Sequence, residues 1–143
     1  MIDSTVFLDT GFAIALLAPR DQYHKNALIL ANQIRQNKVK IITSDAVLLE
    51  IGAALAKSAY RSAAVKFIDS LRADSNVEIV SLDRQLFNSA YQLFRERTDK
   101  EWSLADCASF IIMKERCIVQ ALAADDHFAQ SGFVPLLLKD PTQ

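Results

Sequence analysis

The sequence predicts an α/β protein built on a central parallel sheet of five strands, and three observations predict it. Short β-branched or apolar segments alternate with longer segments of helical period, the pattern of repeated strand–helix units. The first short segment, Val6-Phe7-Leu8, is continuously apolar rather than alternating, which suits a strand buried on both faces. The chain has 143 residues, 51% of them apolar, with only three glycines and three prolines. That is enough to bury a substantial core and too apolar for a disordered segment. One domain over residues 1–143 is the expectation, because no repeat, low-complexity stretch or linker divides the chain.

Taken in order, Val6-Phe7-Leu8 forms the first strand and Asp9 stands where it stops. Phe12 to Leu17 makes a short helical turn ended by Pro19. A helix follows from Asp21 to Asn37, with Ala27, Leu28, Leu30, Ala31 and Ile34 at helical spacing. Lys38 to Thr43 reads as the second strand, and Ser44 or Asp45 caps the next helix. That third helix carries Val47, Leu48, Leu49, Ile51 and Ala53 to Ala56, with one acid, Glu50, inside it.

A fourth helix from Arg61 to Ala73 leads into a third strand, Val77 to Val80. A fifth helix from Asp83 to Arg97 places Leu86, Phe87, Ala90, Leu93 and Phe94 at helical spacing, and Thr98 to Glu101 is a polar loop. Ser103 opens a sixth helix that ends at Arg116. Cys117 to Leu122 is the fourth strand, and the stretch from Ala123 to Phe128 is a short turn or helix closing near Gly132. Val134 to Leu138 is the fifth strand.

The formal net charge is −1, so no global basic excess marks a binder of polyanions, and any such surface must be local. Cys107 and Cys117 have neither disulfide-framework nor zinc-ligand spacing. Their apolar neighbours predict buried free thiols, which suits a reducing compartment. No stretch is long enough to span a membrane, and Phe12 to Ala18 lacks the basic lead of a signal peptide. The cytoplasm is the expected location.

Seventeen acids are present, and four of them sit in apolar settings. Asp9 ends an apolar strand, Glu50 interrupts an apolar helix, Asp106 precedes an apolar run, and Asp125 follows the fourth strand. A carboxylate in such a place costs several kcal/mol unless compensated, on the order of a buried unpaired ion. No Lys or Arg is near Asp9, Glu50 or Asp125 in sequence, so a hard divalent cation is the economical compensation. Mg²⁺ commonly takes a few carboxylates and a substrate phosphate, which points to phosphodiester chemistry.

Three of these acids also have a plainer reading, whereas a glutamate inside an apolar helix has little. Asp106 stands three residues after Ser103, as in a capping box. Asp9 suits a turn before Thr10-Gly11, and Asp125 suits a helix cap, with Asp126 the alternative there. His127, beside Asp125, and His24, at a polar helix start, are the candidates for proton transfer. For His127 the plainer reading is a packing role beside Phe128; for His24, simple exposure.

With these stretches in place the chain resembles PIN-domain proteins, most of all the VapC-like ribonuclease toxins of bacterial type II toxin–antitoxin systems. The resemblance rests on Val6 to Gly11, Leu48 to Ile51, Trp102 to Cys107 and Ala121 to Phe133, which together span nearly the whole chain. It implies a three-layer α/β/α fold and Mg²⁺- or Mn²⁺-dependent endoribonuclease activity. It places Asp9, Glu50, Asp106 and Asp125 on the family's acidic positions, Asp9 and Asp106 as direct metal ligands, Glu50 and Asp125 for a second ion or to orient water. It implies an antitoxin protein partner and a homodimer. Ala123 stands where the family often has Thr or Ser.

Lys57, Arg61 and Lys100 are the basic residues expected to steer an RNA backbone, and Phe12, Leu16, Leu17 and Tyr60 the apolar residues expected on a partner surface. Two other readings share the pattern. A non-catalytic PIN-like module that binds RNA or protein is favoured by Ala123 and opposed by four retained acids. A receiver-type phosphoacceptor would use Asp83 and Lys139, but it has no use for Glu50 or Asp106.

Overall fold

The fold is that of a computed structural model describing residues 1–142. Its centre is strand β1 (Thr5–Leu8), flanked by β2 (Lys40–Ser44) and then β3 (Val77–Val80) on one side. On the other side lie β4 (Gln120–Leu122) and β5 (Val134–Pro135), giving the order β3-β2-β1-β4-β5 with every neighbouring pair parallel. Helices α1 (Thr10–Leu17), α2 (His24–Gln36), α3 (Asp45–Ala54), α4 (Ser58–Ala73), α5 (Arg84–Glu96), α6 (Leu104–Glu115) and α7 (Asp126–Gln130) fill the connections.

In β1, Val6, Phe7 and Leu8 are all essentially inaccessible. Successive side chains of a strand point to opposite faces, so both faces of the sheet are covered, as the three-layer arrangement requires. The chain steps from β1 outward to β2 and β3, then returns to β4 on the far side of β1. The carboxyl ends of β1 and β4 therefore flank the point where the strand order reverses, the usual crevice for function in such sheets.

Local chemistry sets the edges of these elements. Ser44 Oγ accepts from the Val47 amide at 3.3 Å and starts α3, and Asp83 accepts from the Leu86 amide at 2.8 Å and starts α5. Asp83 is thus the N-cap of α5. Thr43 Oγ1 donates to the Leu8 carbonyl at 2.8 Å and fastens β2 to β1 one residue before Asp9. α2 and α6 both end on a non-glycine residue in the left-handed region, Lys38 and Cys117. Gly132, at φ +92°, closes α7.

Several boundaries differ from expectation. α2 begins at His24 rather than Asp21, α4 at Ser58 rather than Arg61, and β4 is confined to Gln120–Leu122. β5 stops at Pro135, and Leu136–Leu138 form a 3₁₀ turn instead of more strand. Leu137 donates its amide to the Ala123 carbonyl at 3.1 Å, which bends the chain back over β4. Cys107 is buried as expected, whereas Cys117 is exposed because it occupies the turn after α6. Phe12 is buried in the core and presents no partner surface, while Leu28 is half exposed on the outer flank of α2.

Candidate active site

The cleft at the strand-order reversal is built from four short stretches. Asp9 leaves β1 with its amide donating to the Leu122 carbonyl at 3.2 Å, so the β1–β4 ladder delivers it to the edge. It sits in the N-cap position of α1, but its side chain makes no capping bond. Only 8% of the residue is exposed. Burial raises its pKa to about 7; the Thr10 backbone opposes that rise, and the charges of Asp106, Glu50 and Asp125 add to it. The four acids singled out in the sequence thus feel one another across a single cleft.

Glu50 reaches the cleft from α3, where it is partly buried. Thr10 Oγ1 donates to its Oε1 at 3.0 Å, a contact between residues forty positions apart. Burial and the Asp106 charge raise its pKa, against the pull of the Thr10 hydroxyl. Its helix is less buried than its composition suggested, since Leu49 is 70% exposed.

Asp106 and Asp125 serve two purposes at once. Asp106 Oδ2 accepts from the Ser103 amide at 3.1 Å while Ser103 Oγ accepts from the Asp106 amide at 2.9 Å, a complete capping box at the start of α6. Asp125 Oδ1 caps α7 by accepting from the His127 amide at 2.9 Å. The ring of His127 then lies between the two carboxylates, its Nδ1 3.0 Å from Asp106 Oδ2 and 3.2 Å from Asp125 Oδ2. The capping contacts therefore leave both residues lining the cleft. Each cap fixes a carboxylate that still faces the cleft.

A buried aromatic cluster sets the spacing of α6 and α7. Phe110 meets Trp102 and Phe128 edge-on, each at a centroid distance of 5.1 Å. Phe128 follows His127 directly and is fully buried, so the packing expected of that turn is real. It is Phe128 that packs, leaving His127 for the acids. His24 is only partly exposed, and its Nδ1 lies 2.7 Å from the Ala15 carbonyl, where it ties α2 to α1 outside the cleft.

The cleft has a volume of about 740 Å³, and Asp9, Glu50, Asp106, Asp125, Asp126 and His127 all line it. Among the described residues, Asp106, Asp125 and His127 form a group whose ligand atoms lie within 4.8 Å of one another, and Asp9 and Glu50 stand outside that group. Among the described residues no lysine or arginine lines the cleft. Hard oxygen donors gathered around the buried Asp9 fit a hard divalent cation.

Sequence reasoning did not find Thr10, Glu101, Ser103 or Gln130 as parts of the wall. For Ser103 the capping-box spacing was a usable signal. Thr10 and Gln130 carried none, because their partners are distant in the chain. Ala123 is fully buried beneath the cleft, and the neighbouring Ala124 lines it instead. The hydroxyl that does reach an acid is that of Thr10. Lys57, Arg61 and Lys100 do not line the cleft, and Arg61 Nε instead bonds the Ala56 carbonyl at 2.9 Å.

A family model for the PIN domain matches residues 6–134. The chain belongs to the PIN-domain family. Across 130 residues this PIN domain is 28% identical to the 23S rRNA-specific endonuclease VapC20 of Mycobacterium tuberculosis, in each of two strains. The match covers 90% of this chain and 95% of that protein. A crystal structure of Mycobacterium tuberculosis VapC20, described as a sarcin–ricin loop cleaving toxin, matches this PIN domain with a TM-score of 0.79. Identity there is 27%, covering 91% of this chain and 97% of that one. The five-stranded parallel sheet expected from the sequence is thus the sheet of this family.

Proposed function

We propose that this PIN domain is a divalent-metal-dependent endoribonuclease, the toxin of a toxin–antitoxin pair. One observation carries the reading: four acids from separate elements, the buried Asp9 with Glu50, Asp106 and Asp125, line one cleft where burial and the three neighbouring charges raise the pKa of Asp9 to about 7 and, among the described residues, no lysine or arginine stands. Evolutionary resemblance to a 23S rRNA-specific endonuclease supports the choice of RNA as substrate.

Asp9 and Asp106 would hold the first cation, and Glu50 and Asp125 would hold a second or orient water. When bound, the cation supplies positive charge for the phosphodiester and acidifies water for hydrolysis. The chain's own groups prepare that place. Thr10 fixes one oxygen of Glu50, leaving the other free. Ser103 orients Asp106, and His127 Nδ1 keeps the Asp106 and Asp125 carboxylates together. The balanced net charge favours a selective RNA target, an exposed loop or single strand, over broad binding along any RNA.

An antitoxin and a second copy of the chain are the partners of this reading. Leu16, Leu17 and Tyr60 remain partly accessible for such a surface. Among the described residues no helix is long and apolar enough to cross a membrane, and the cytoplasm is the location proposed.

The test is cleavage of a structured RNA pool containing 23S rRNA by wild type and Asp9→Asn, in Mg²⁺, Mn²⁺ or EDTA. Cutting by wild type alone, abolished by EDTA, supports the proposal. Equal cutting by both proteins overturns the assignment of Asp9. If neither cuts, calorimetry decides. Metal binding by wild type but not Asp9→Asn retains the enzyme, and binding by neither leaves a non-catalytic module.

A further inference from the structure

The outer face of α5 carries a feature that the acidic cleft does not use. Leu86 and Ala90 turn into the core, but Tyr91 and Phe94 are 46% and 44% exposed. Arg84, Phe87, Tyr91 and Arg95 follow one another at spacings of three and four residues, so they form one line along the helix. The rings of Phe87 and Tyr91 lie nearly parallel, 10° apart in plane and 6.5 Å between centroids. The Arg84 guanidinium stands 5.4 Å from the Phe87 centroid, and that of Arg95 stands 5.8 Å from the Tyr91 centroid. The order along the helix is cation, ring, ring, cation. An acid adjoins each end of this line: Asp83, which caps the helix, and Glu96, which accepts from Gln92 at 3.0 Å.

We propose that this line is a stacking platform for a single-stranded segment of RNA, used to hold substrate beside the cleft. Its chemistry alternates as a single strand does. Ring faces accept bases without regard to sequence, and the arginines answer phosphates and stack as well. A second copy of this chain is the competing occupant. Pairing the line with its own two-fold mate sets arginine against arginine whether the helices run parallel or antiparallel, which like-charge repulsion opposes. An acidic peptide would satisfy the arginines and leave the rings without a stacking partner.

The platform is coupled to the cleft by rigid contacts. α5 runs directly into Arg97, whose guanidinium lies 4.8 Å from the centre of the Trp102 ring. Trp102 Nε1 donates to Gln130 Oε1 at 3.0 Å, and Gln130 lines the cleft. From Arg84 to Arg95 the helix rises about 16 Å, room for a few nucleotides. The platform also supplies the local basic surface that a chain of net charge −1 needs for an RNA substrate.

This inference deepens the ribonuclease reading, yet it is measured without cleavage. The probe is a fluorescein-labelled single-stranded RNA of about a dozen nucleotides, a site-sized strand, titrated in EDTA and followed by anisotropy. Tyr91→Ala weakens binding roughly tenfold, the loss of one stacked base, while Tyr91→Phe holds it within about twofold. Arg84→Ala with Arg95→Ala lowers the slope of log K against log salt by about 1.4, two phosphate contacts. Sedimentation run alongside reads self-association.

No RNA binding by wild type overturns the platform, and so does equal binding by wild type and Tyr91→Ala. A wild-type dimer that Tyr91→Ala dissociates, with RNA affinity unchanged, assigns the face to a second copy instead. Binding that depends on Tyr91 in a protein that neither cuts RNA nor binds metal upholds the platform and removes the nuclease.

Discussion

Replacing Asp9 by asparagine stabilises the metal-free protein above neutral pH and changes little below pH about 4, the unfolded-chain pKa of the aspartate. Asp9 is 8% exposed, and burial with three neighbouring acids lifts its pKa from 3.8 to about 7. Between those values the folded state keeps a proton that the unfolded chain releases, so stability falls as pH rises. The loss begins near pH 4 and is complete above about 7. A rise of roughly three units corresponds to about 4 kcal/mol, and local water and relaxation reduce the expected effect to about 2–4 kcal/mol.

Asparagine has the same shape, carries no charge and keeps an acceptor for the Thr10 backbone. Urea unfolding in EDTA at about pH 5 and about pH 8 reads the difference. Wild type loses stability between the two, and Asp9→Asn loses much less, keeping only the smaller share that the raised Glu50 pKa contributes. Mg²⁺ or Mn²⁺ at about a hundred times Kd restores about 2.7 kcal/mol to wild type at the higher pH, by mass action, and nothing to the variant. Parallel pH profiles for the two proteins, or a variant less stable at the higher pH, would refute the reasoning.

Thr10→Val removes the hydroxyl that restrains Glu50, so the Glu50 pKa rises further, as carboxyl ¹³C NMR titration would reveal, and metal affinity falls. Ser103→Ala breaks the capping box and costs about 1 kcal/mol in denaturant unfolding. It also lowers metal affinity by freeing Asp106, an effect a purely structural cap would not produce. Phe128→Ala empties a fully buried site against Phe110 and costs about 3–5 kcal/mol. Its Tm shift would be accompanied by loss of activity, because that anchor holds α7 with its N-cap Asp125 and its His127.

The local signals were enough for the class of fold and for picking out four acids that the fold gathers in one cleft. Periodicity reports which faces are buried, so Val6-Phe7-Leu8 reads as a central strand and Asp9 as the residue at its end. The spacing of Ser103 and Asp106 is a contact within one helical turn, and it forms as the spacing implies. Signals of this kind weaken where an element is short. β5 ends at Pro135, which has no amide to give the ladder, and three apolar leucines that read as strand turn over β4 instead. Cys117 leads into the apolar Ile118 and Val119 yet is exposed, because its position after α6 is a turn rather than strand.

What the sequence by itself determined was thus the alternation of strands and helices and the four acids at their junctions. Only the tertiary structure decided that β4 lies beside β1, which brings residues 9 and 125 to one edge. It also decided that Thr10 meets Glu50 and that His127 lies between Asp106 and Asp125. Hydrophobic period and capping are properties of neighbouring residues, whereas these contacts depend on how crossovers close over the sheet.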